Sequence, residues 1–298
     1  MSEAKFLVEK FKNGGRTFLL FLGMVVMMVG LGYLFFGISG LIWAGVLGVF
    51  GLYASYRIPA NFVMKMKGGR VLNDYEIPRL SNLVKVLSKK AGLNKSPKLY
   101  FIASNQFNAF ATGSKNDPAI AITQGALQFL DERELTGVLA HEISHIANND
   151  LHLQRMTMII GRLTRLFSLM GQLLLLINLP LLLADVGSIS WVAILLLIFA
   201  PMLSTIMMLA ISRTREFDAD LNAARITSDP LGLARALNKL SHYQQHWFPK
   251  LQGRLVPRFL QSHPTLKERI RRLQLLGTKY KNPTNQYSPL SQLFSNNY

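Results

Sequence analysis

Two histidines four residues apart, with a glutamate beside the first, are the side chains in this sequence best suited to chemistry: His141-Glu142-Ile143-Ser144-His145. On a helix, positions i and i+4 share one face about one turn apart. His141 and His145 can therefore grip one metal ion, and Glu142 can reach a water on that ion and take its proton. The chain has no Cys, so neither a disulfide framework nor a thiolate zinc site is possible. Any metal must be held by His and carboxylates. A third His at position 151 would extend the motif, but Leu151 stands there. A later carboxylate must then complete a catalytic zinc site, which usually has three protein ligands and an open fourth position. The stretch Arg215-Glu216-Phe217-Asp218-Ala219-Asp220 offers one. Glu216 and Asp220 share a helical face, so Glu216 can bind the metal while Asp220 accepts an N–H from a liganding His and sets its tautomer. The same stretch also reads as an exposed acidic helix start.

The other candidates are weaker. Asp150 can support a liganding His, although an Asp five residues after such a motif more often ends a helix in solvent. His152 reads as a non-ligand. His242 and His246 repeat the i, i+4 spacing without a Glu and sit beside Trp247 in a polar stretch, which predicts a surface role.

The motif needs a helix under it, and the sequence supplies one. Asp131 can cap it with Glu134 three residues later, and Leu135, Val138, Leu139, Glu142, His145 and Ile146 follow at helical spacing. Before it, residues 74–91 predict an amphipathic helix with Ile77, Leu80, Leu83, Val84 and Leu87 in one stripe, ended by Gly92. Residues 98–103, 107–112 and 119–123 predict strands, with Gly113 and Asn116-Asp117-Pro118 turning between the last two. A small antiparallel sheet is the simplest arrangement. After the motif, Asp229-Pro230 and Ser262-His263-Pro264 each start a further helix.

The surroundings are those of a membrane protein. The 298 residues are 50% hydrophobic and 16% charged, with a formal charge of +17. Such a charge suits nucleic acid or an anionic lipid surface. The basic residues flank apolar segments rather than cluster on one face, so nucleic acid is excluded as a partner. Residues 17–37 and 41–56 are apolar and uncharged, broken at Ile38-Ser39-Gly40; residues 166–184 and 189–211 repeat the pattern around Asp185-Val186-Gly187-Ser188. About 20 such residues span a bilayer, which predicts two helical hairpins and four spans. Lys5, Lys10, Lys12 and Arg16, then Arg57, Lys65, Lys67 and Arg70, flank the first hairpin. Arg155, Arg162, Arg165, Arg213 and Arg215 flank the second. The positive-inside rule places both termini in the cytoplasm. No cleavable signal sequence is expected.

At this point the chain resembles the HtpX branch of the integral-membrane zinc metallopeptidases, a group that also includes the CAAX prenyl proteases. Four pieces match in order: Asn108-Ala109-Phe110-Ala111-Thr112-Gly113, the His141–His145 motif, Glu216 with Asp220, and Ser262-His263-Pro264 followed by Arg269-Ile270. The resemblance runs over residues 17–275. Thr265 departs from the commoner Ser-His-Pro-Pro form. The resemblance implies one Zn2+ on His141, His145 and Glu216, Glu142 as general base, and His263 donating to the oxyanion. It also implies a polypeptide substrate lying along Asn108, Ala109, Phe110 and Ala111. An exposed strand edge suits that role, because its free N–H and C=O groups pair with an extended peptide of any sequence.

The expected protein is mainly α: two transmembrane hairpins (17–56 and 166–211) and a cytoplasmic zincin-like α+β metallopeptidase domain in two parts (57–165 and 212–281). A basic segment (1–16) precedes them and a loose tail (282–298) follows. The expected activity is hydrolysis of internal peptide bonds, in quality control of misfolded or damaged membrane proteins. A site-specific processing protease of the prenyl-protease type would use the same chemistry but wants more spans. A non-catalytic zinc-stabilised scaffold has no need of Glu142.

Overall fold

The computed structural model describes residues 3–56, 58–180, 191–247 and 266–280. The turn at 185–188, the segment Ser262-His263-Pro264 and the tail from 282 lie outside them. The chain is mainly helical. Helix α1 (Glu3–Tyr56) leads to α2 (Ala60–Met66), β1 (Gly69–Val71), α3 (Pro78–Lys90), β2 (Lys98–Ile102), β3 (Ala109–Gly113) and β4 (Pro118–Thr123). Then come α4 (Gln124–Phe129), α5 (Glu132–Ala147), α6 (Asp150–Ile177), α7 (Trp191–Thr227), α8 (Pro230–Trp247) and α9 (Leu266–Tyr280).

Three of these helices, α1, α6 and α7, are long and apolar enough to cross a membrane. Helix α1 is broken at Gly37, where φ is 57° and ψ −142°, a backbone region open in practice only to glycine. Across that break the backbones of Gly32 and Gly40 touch: a Cβ on Gly32 would lie 2.8 Å from the Gly40 carbonyl oxygen. In a straight helix, residues eight apart are about 12 Å apart. Gly40→Ala should therefore cost about 1–3 kcal/mol, the usual penalty of overpacking, read as a lower melting temperature in detergent.

The three apolar helices pack on a shared core of Met24, Met28, Leu31, Ile160, Phe167, Leu197 and Ala200. Pro201 sits inside α7 and offers no N–H to the carbonyl of Leu197 four residues earlier. Ser168 and Gln172 of α6 donate to that carbonyl instead, Gln172 at 3.2 Å. The freed backbone group in the apolar layer is thus satisfied by a neighbouring helix.

The predicted strands are present and the sheet is small, but it is mixed rather than antiparallel. Its order is β1-β2-β4-β3. β1 with β2 and β3 with β4 are antiparallel, while β2 and β4 run parallel. The cause lies in β4, whose six residues are all buried. Ile120 and Ile122 face the core with Leu80, Leu87, Leu139 and Ile143; Ala119 and Ala121 face Ala60, Met64 and Tyr100. A strand buried on both faces is stable in the middle of a sheet, so β4 takes the place beside β2. The hairpin partner β3 is left at the edge. Strand β1 was not anticipated. Helix α3 keeps the expected stripe, with Leu80, Leu83, Val84 and Leu87 buried, and Gly92 follows it at φ +75°.

Candidate metal and peptide site

Helix α5 begins with the capping box read from the sequence. The Asp131 side chain accepts from Glu134 N–H at 2.8 Å, and the Glu134 side chain accepts from Asp131 N–H at 3.0 Å. Leu139, Ala140, Ile143 and Ile146 then face the core, which turns His141, Glu142 and His145 towards β3 and α7.

The two imidazoles are held from behind by carboxylates. His141 Nδ1 is 3.0 Å from Asp220 Oδ1, and His145 Nδ1 is 2.9 Å from Asp150 Oδ2. With each Nδ1 engaged, the two Nε2 atoms face each other at 3.1 Å. Glu216 closes the group, with Oε2 3.5 Å from His141 Nε2 and Oε1 3.9 Å from His145 Nε2. Ligand atoms of all three lie within 4.8 Å of one another, the group among the described residues that could hold a metal ion. Tetrahedral ligands at 2.0–2.1 Å from zinc stand roughly 3.3–3.4 Å apart, close to these spacings. Two imidazole lone pairs cannot face each other at that distance without a cation or a proton between them, so the donor set fits the ion it implies.

The charges around the group agree with this. Glu142, Asp150, Glu216 and Asp220 supply four carboxyl groups, and the guanidinium of Arg269 on α9 answers two of them. Arg269 Nη1 is 2.7 Å from Glu216 Oε2, and its Nε and Nη2 grip Asp220 at 2.8 and 2.7 Å. Burial alone would push the Asp220 carboxyl up, but Arg269 and His141 hold it below the usual range. Burial and Arg269 press on the His141 ring in the other direction; the carboxylates of Asp220 and Glu216 outweigh them and the ring is pushed up to about 10. Burial pushes the Glu142 carboxyl above its ordinary value, the direction that makes a carboxylate a better proton acceptor.

Strand β3 borders this group as the edge of the sheet, with no strand on its outer side among the described residues. Ala111 N–H points away from β4 and donates to Glu142 Oε2 at 2.8 Å. Ala109 and Ala111 thus present backbone groups outward, and Phe110 between them pairs with Ala121 of β4. Asn108 stands exposed just before the strand, its backbone bonded to Thr123. His263 lies outside the described residues, and His242 is exposed with Nδ1 on its own helix at Asn238 O.

One residue beside the site was not picked out for a role from the sequence: Arg269 was visible only as part of a motif. Asp150 was named as able to support a His, with a solvated helix end as the commoner alternative, and it is 5% exposed and bonded to His145. The spacing ranked it low for a local reason. Spacing arguments assume one continuous helix, yet α5 stops at Ala147 and Asn149 adopts φ 59°, a left-handed turn that Asn tolerates. The chain folds back there and brings Asp150 onto its neighbour. A second feature was also hidden. Glu216 and Asp220 do not begin a new helix but continue α7, the same helix whose first part is apolar.

A motif helix with converging imidazoles, a carboxylate from a membrane-length helix and a free strand edge alongside define a membrane metallopeptidase. The profile of peptidase family M48 matches residues 75–276, and this chain belongs to that family. It is 33% identical to a protease HtpX homolog of Sulfurihydrogenibium sp., over 90% of this chain and 97% of the relative. With the homolog of Aquifex aeolicus it shares 34% identity over 85% of this chain and 89% of the other. With that of Acidiphilium cryptum it shares 35% over 87% and 95%. The crystal structure of Ste24p from S. mikatae has the same fold, with TM-score 0.55 and 21% identity over 91% of this chain and 67% of that one. The chain is therefore a metal-dependent protease of the membrane, and polypeptides are its substrates.

Proposed function

We propose that this protein is a zinc endopeptidase that degrades misfolded or damaged membrane proteins, with His141, His145 and Glu216 as its zinc ligands. One observation carries the reading: both imidazoles are fixed at Nδ1 by a carboxylate, so that both Nε2 atoms and Glu216 converge on one point. Zinc bound there supplies Lewis-acid chemistry, making water acidic enough to attack at neutral pH.

The chain's own residues do the rest. The Ala109–Ala111 edge pairs with an extended peptide and lays the scissile bond beside Glu142. Glu142 takes a proton from the attacking water and passes it to the leaving amine. The Ala111 N–H keeps its carboxylate aimed between the strand and the imidazoles. Asp220 and Asp150 hold the tautomers of the two rings. His263 is assigned to the oxyanion on family resemblance.

The break at Gly37 with the Gly32–Gly40 contact supports reading α1 as a first hairpin. Helices α6 and α7 read as a second. That makes four spans, with basic flanks that favour anionic lipid and put both ends and the site on the cytoplasmic side. Because Asp150 starts α6 and Glu216 lies in α7, the catalytic parts 57–165 and 212–281 are joined to 166–211 by continuous helix. A site built on membrane helices sits at the surface of the bilayer, where membrane proteins expose unfolded segments.

The test is cleavage of a detergent-solubilised, destabilised membrane protein. A chelator should abolish it and zinc should restore it; cleavage that persists after complete zinc removal would reject the reading. Because the metal-free His141 ring holds a proton up to about pH 10, zinc must displace that proton. Zinc affinity should therefore rise with pH through the neutral range, and titration calorimetry should record proton release.

A further inference from the structure

The basic segment at the start of the chain makes an inward contact. Helix α1 runs through it without a break from Glu3. Among residues 7–16 every side chain is exposed except Asn13, which is partly buried. Asn13 Nδ2 donates at 2.5 Å to Oδ1 of Asp218 on α7. Asp218 is 4% exposed and forms an ion pair through its other oxygen with Arg215, one turn earlier on the same helix. Arg215 in turn lies 3.4 Å, through Nε, from Asp150 Oδ1. The remaining oxygen of Asp150 holds His145 Nδ1 at 2.9 Å. Lys10, one turn before Asn13, lies within electrostatic reach of Arg225, Arg215 and Asp150, so the face of α1 that carries Lys10 and Asn13 is the one near this chain of charges.

We infer that Asn13 is a positioning residue for the metal site: through Asp218, Arg215 and Asp150 it holds the His145 ring in the orientation that binds zinc. The inference rests on the reading of His145 as a ligand. The physical argument is the sharing of Arg215 between two buried carboxylates. Asn13 satisfies one oxygen of Asp218, which leaves the guanidinium free to reach Asp150. Without the amide, the buried Asp218 oxygen is left without a donor, an expensive state, and Asp218 draws Arg215 towards itself. Asp150 then loses its counter-charge and holds the imidazole less firmly. Outer partners of metal-binding histidines typically govern affinity by 10–100-fold. The end of the first membrane helix thus becomes a working part of the site.

The experiment uses the full-length protein in detergent and measures the zinc dissociation constant by competition with a chromophoric chelator. Asn13→Leu removes the amide at similar volume and should weaken zinc binding by roughly 3–10-fold. Phe11→Ser, on the exposed side of the same segment, should leave it unchanged. Asp150→Asn should weaken binding more, and adding Asn13→Leu to it should cost little further, because both act through one chain of contacts. Melting of the zinc-free proteins should be alike for wild type and Phe11→Ser, and lower for Asn13→Leu because of the unpaired Asp218 oxygen. Wild-type affinity in Asn13→Leu, an equal loss in Phe11→Ser, or full additivity with Asp150→Asn would each overturn the inference.

Should Asn13→Leu not fold, Asn13→Gln and Asn13→Asp decide it. Gln keeps a donor and should retain affinity, whereas Asp faces Asp218 with like charge and should lower it; equal affinities in the two overturn it. A wild-type chain that takes up no zinc would sink the metal-site reading itself. A zinc-replete wild type matched by Asn13→Leu would sink only the role of Asn13.

Discussion

Glu142→Gln should lower proteolysis by about 10²–10⁴-fold, the range for losing a general base, while zinc remains bound one per chain. Gln has the shape of Glu, and its side-chain carbonyl can still accept the Ala111 N–H that now reaches Glu142 Oε2 at 2.8 Å. What it lacks is a basic lone pair for the proton of the attacking water. The imidazoles and Glu216 are untouched, so metal content by atomic emission should match the wild type. Stability gives a second, independent sign. Burial raises the Glu142 carboxyl above its ordinary value in the folded protein. The folded state therefore prefers the protonated form, and the group's contribution to stability is present at low pH and lost as pH rises through the raised value. Gln cannot ionise, so the variant should melt no lower than the wild type at neutral pH, and higher as pH increases. Function and stability pull apart at this residue, as they commonly do at active sites. Unchanged cleavage would remove Glu142 from the mechanism, whatever the zinc content.

Arg269→Met should be the most destabilising single change at the site, by about 3–5 kcal/mol, the cost of breaking a buried ion pair from one side. Arg269 is 6% exposed, and Asp220 and Glu216 are 5% and 8% exposed. Its guanidinium bonds the carboxylates of Glu216 and Asp220 on α7 at 2.7–2.8 Å. Removing it leaves two buried negative charges beside the His141 ring and unties α9 from α7. Arg269→Lys should recover little, because a point charge cannot reproduce a bidentate grip. The pH dependence identifies the cause. Arg269 depresses the Asp220 carboxyl, so this interaction contributes stability above the unfolded carboxyl value and loses it as pH falls through the lower folded one. The gap in melting temperature between wild type and Arg269→Met should therefore shrink in acid. Saturating zinc should also narrow it, since a ligand that binds only the folded chain stabilises it and answers the charge on Glu216 directly. A gap that is constant from neutral pH to below pH 3 would mean that Arg269 contributes packing rather than charge.

Much of this molecule was readable from local pattern. The helix under His141–His145, its Asp131–Glu134 cap, the stripe of α3 and the three site strands all follow from periodicity and turn chemistry. Such signals are confined to a few neighbouring residues and survive in the linear string. The pairing of Asp220 with a His of the motif was also legible, because i and i+4 on one helix have only one face to share. Asp150 was ranked low for the same kind of reason: the left-handed Asn149 interrupts the helix on which the spacing argument depended.

The sheet could not be ordered from its strands one at a time. Each predicted strand was compatible with an antiparallel neighbour, and only burial of β4 on both faces puts it between β2 and β3 and leaves β3 as the edge. Tertiary structure likewise decided what stands behind His141, His145 and Glu216. Asn13, the Arg215–Asp218 pair and Arg269 are ordinary polar residues in the sequence, in three stretches far apart from one another. Folding α1, α7 and α9 together removes them from water, and a buried charge must find its counter-charge wherever the packed helices place one. Residue types and their short-range spacing determined which chemistry this chain can perform. Long-range burial determined which charges hold it in place, because electrostatic partners are chosen by distance in space after the apolar surfaces have closed.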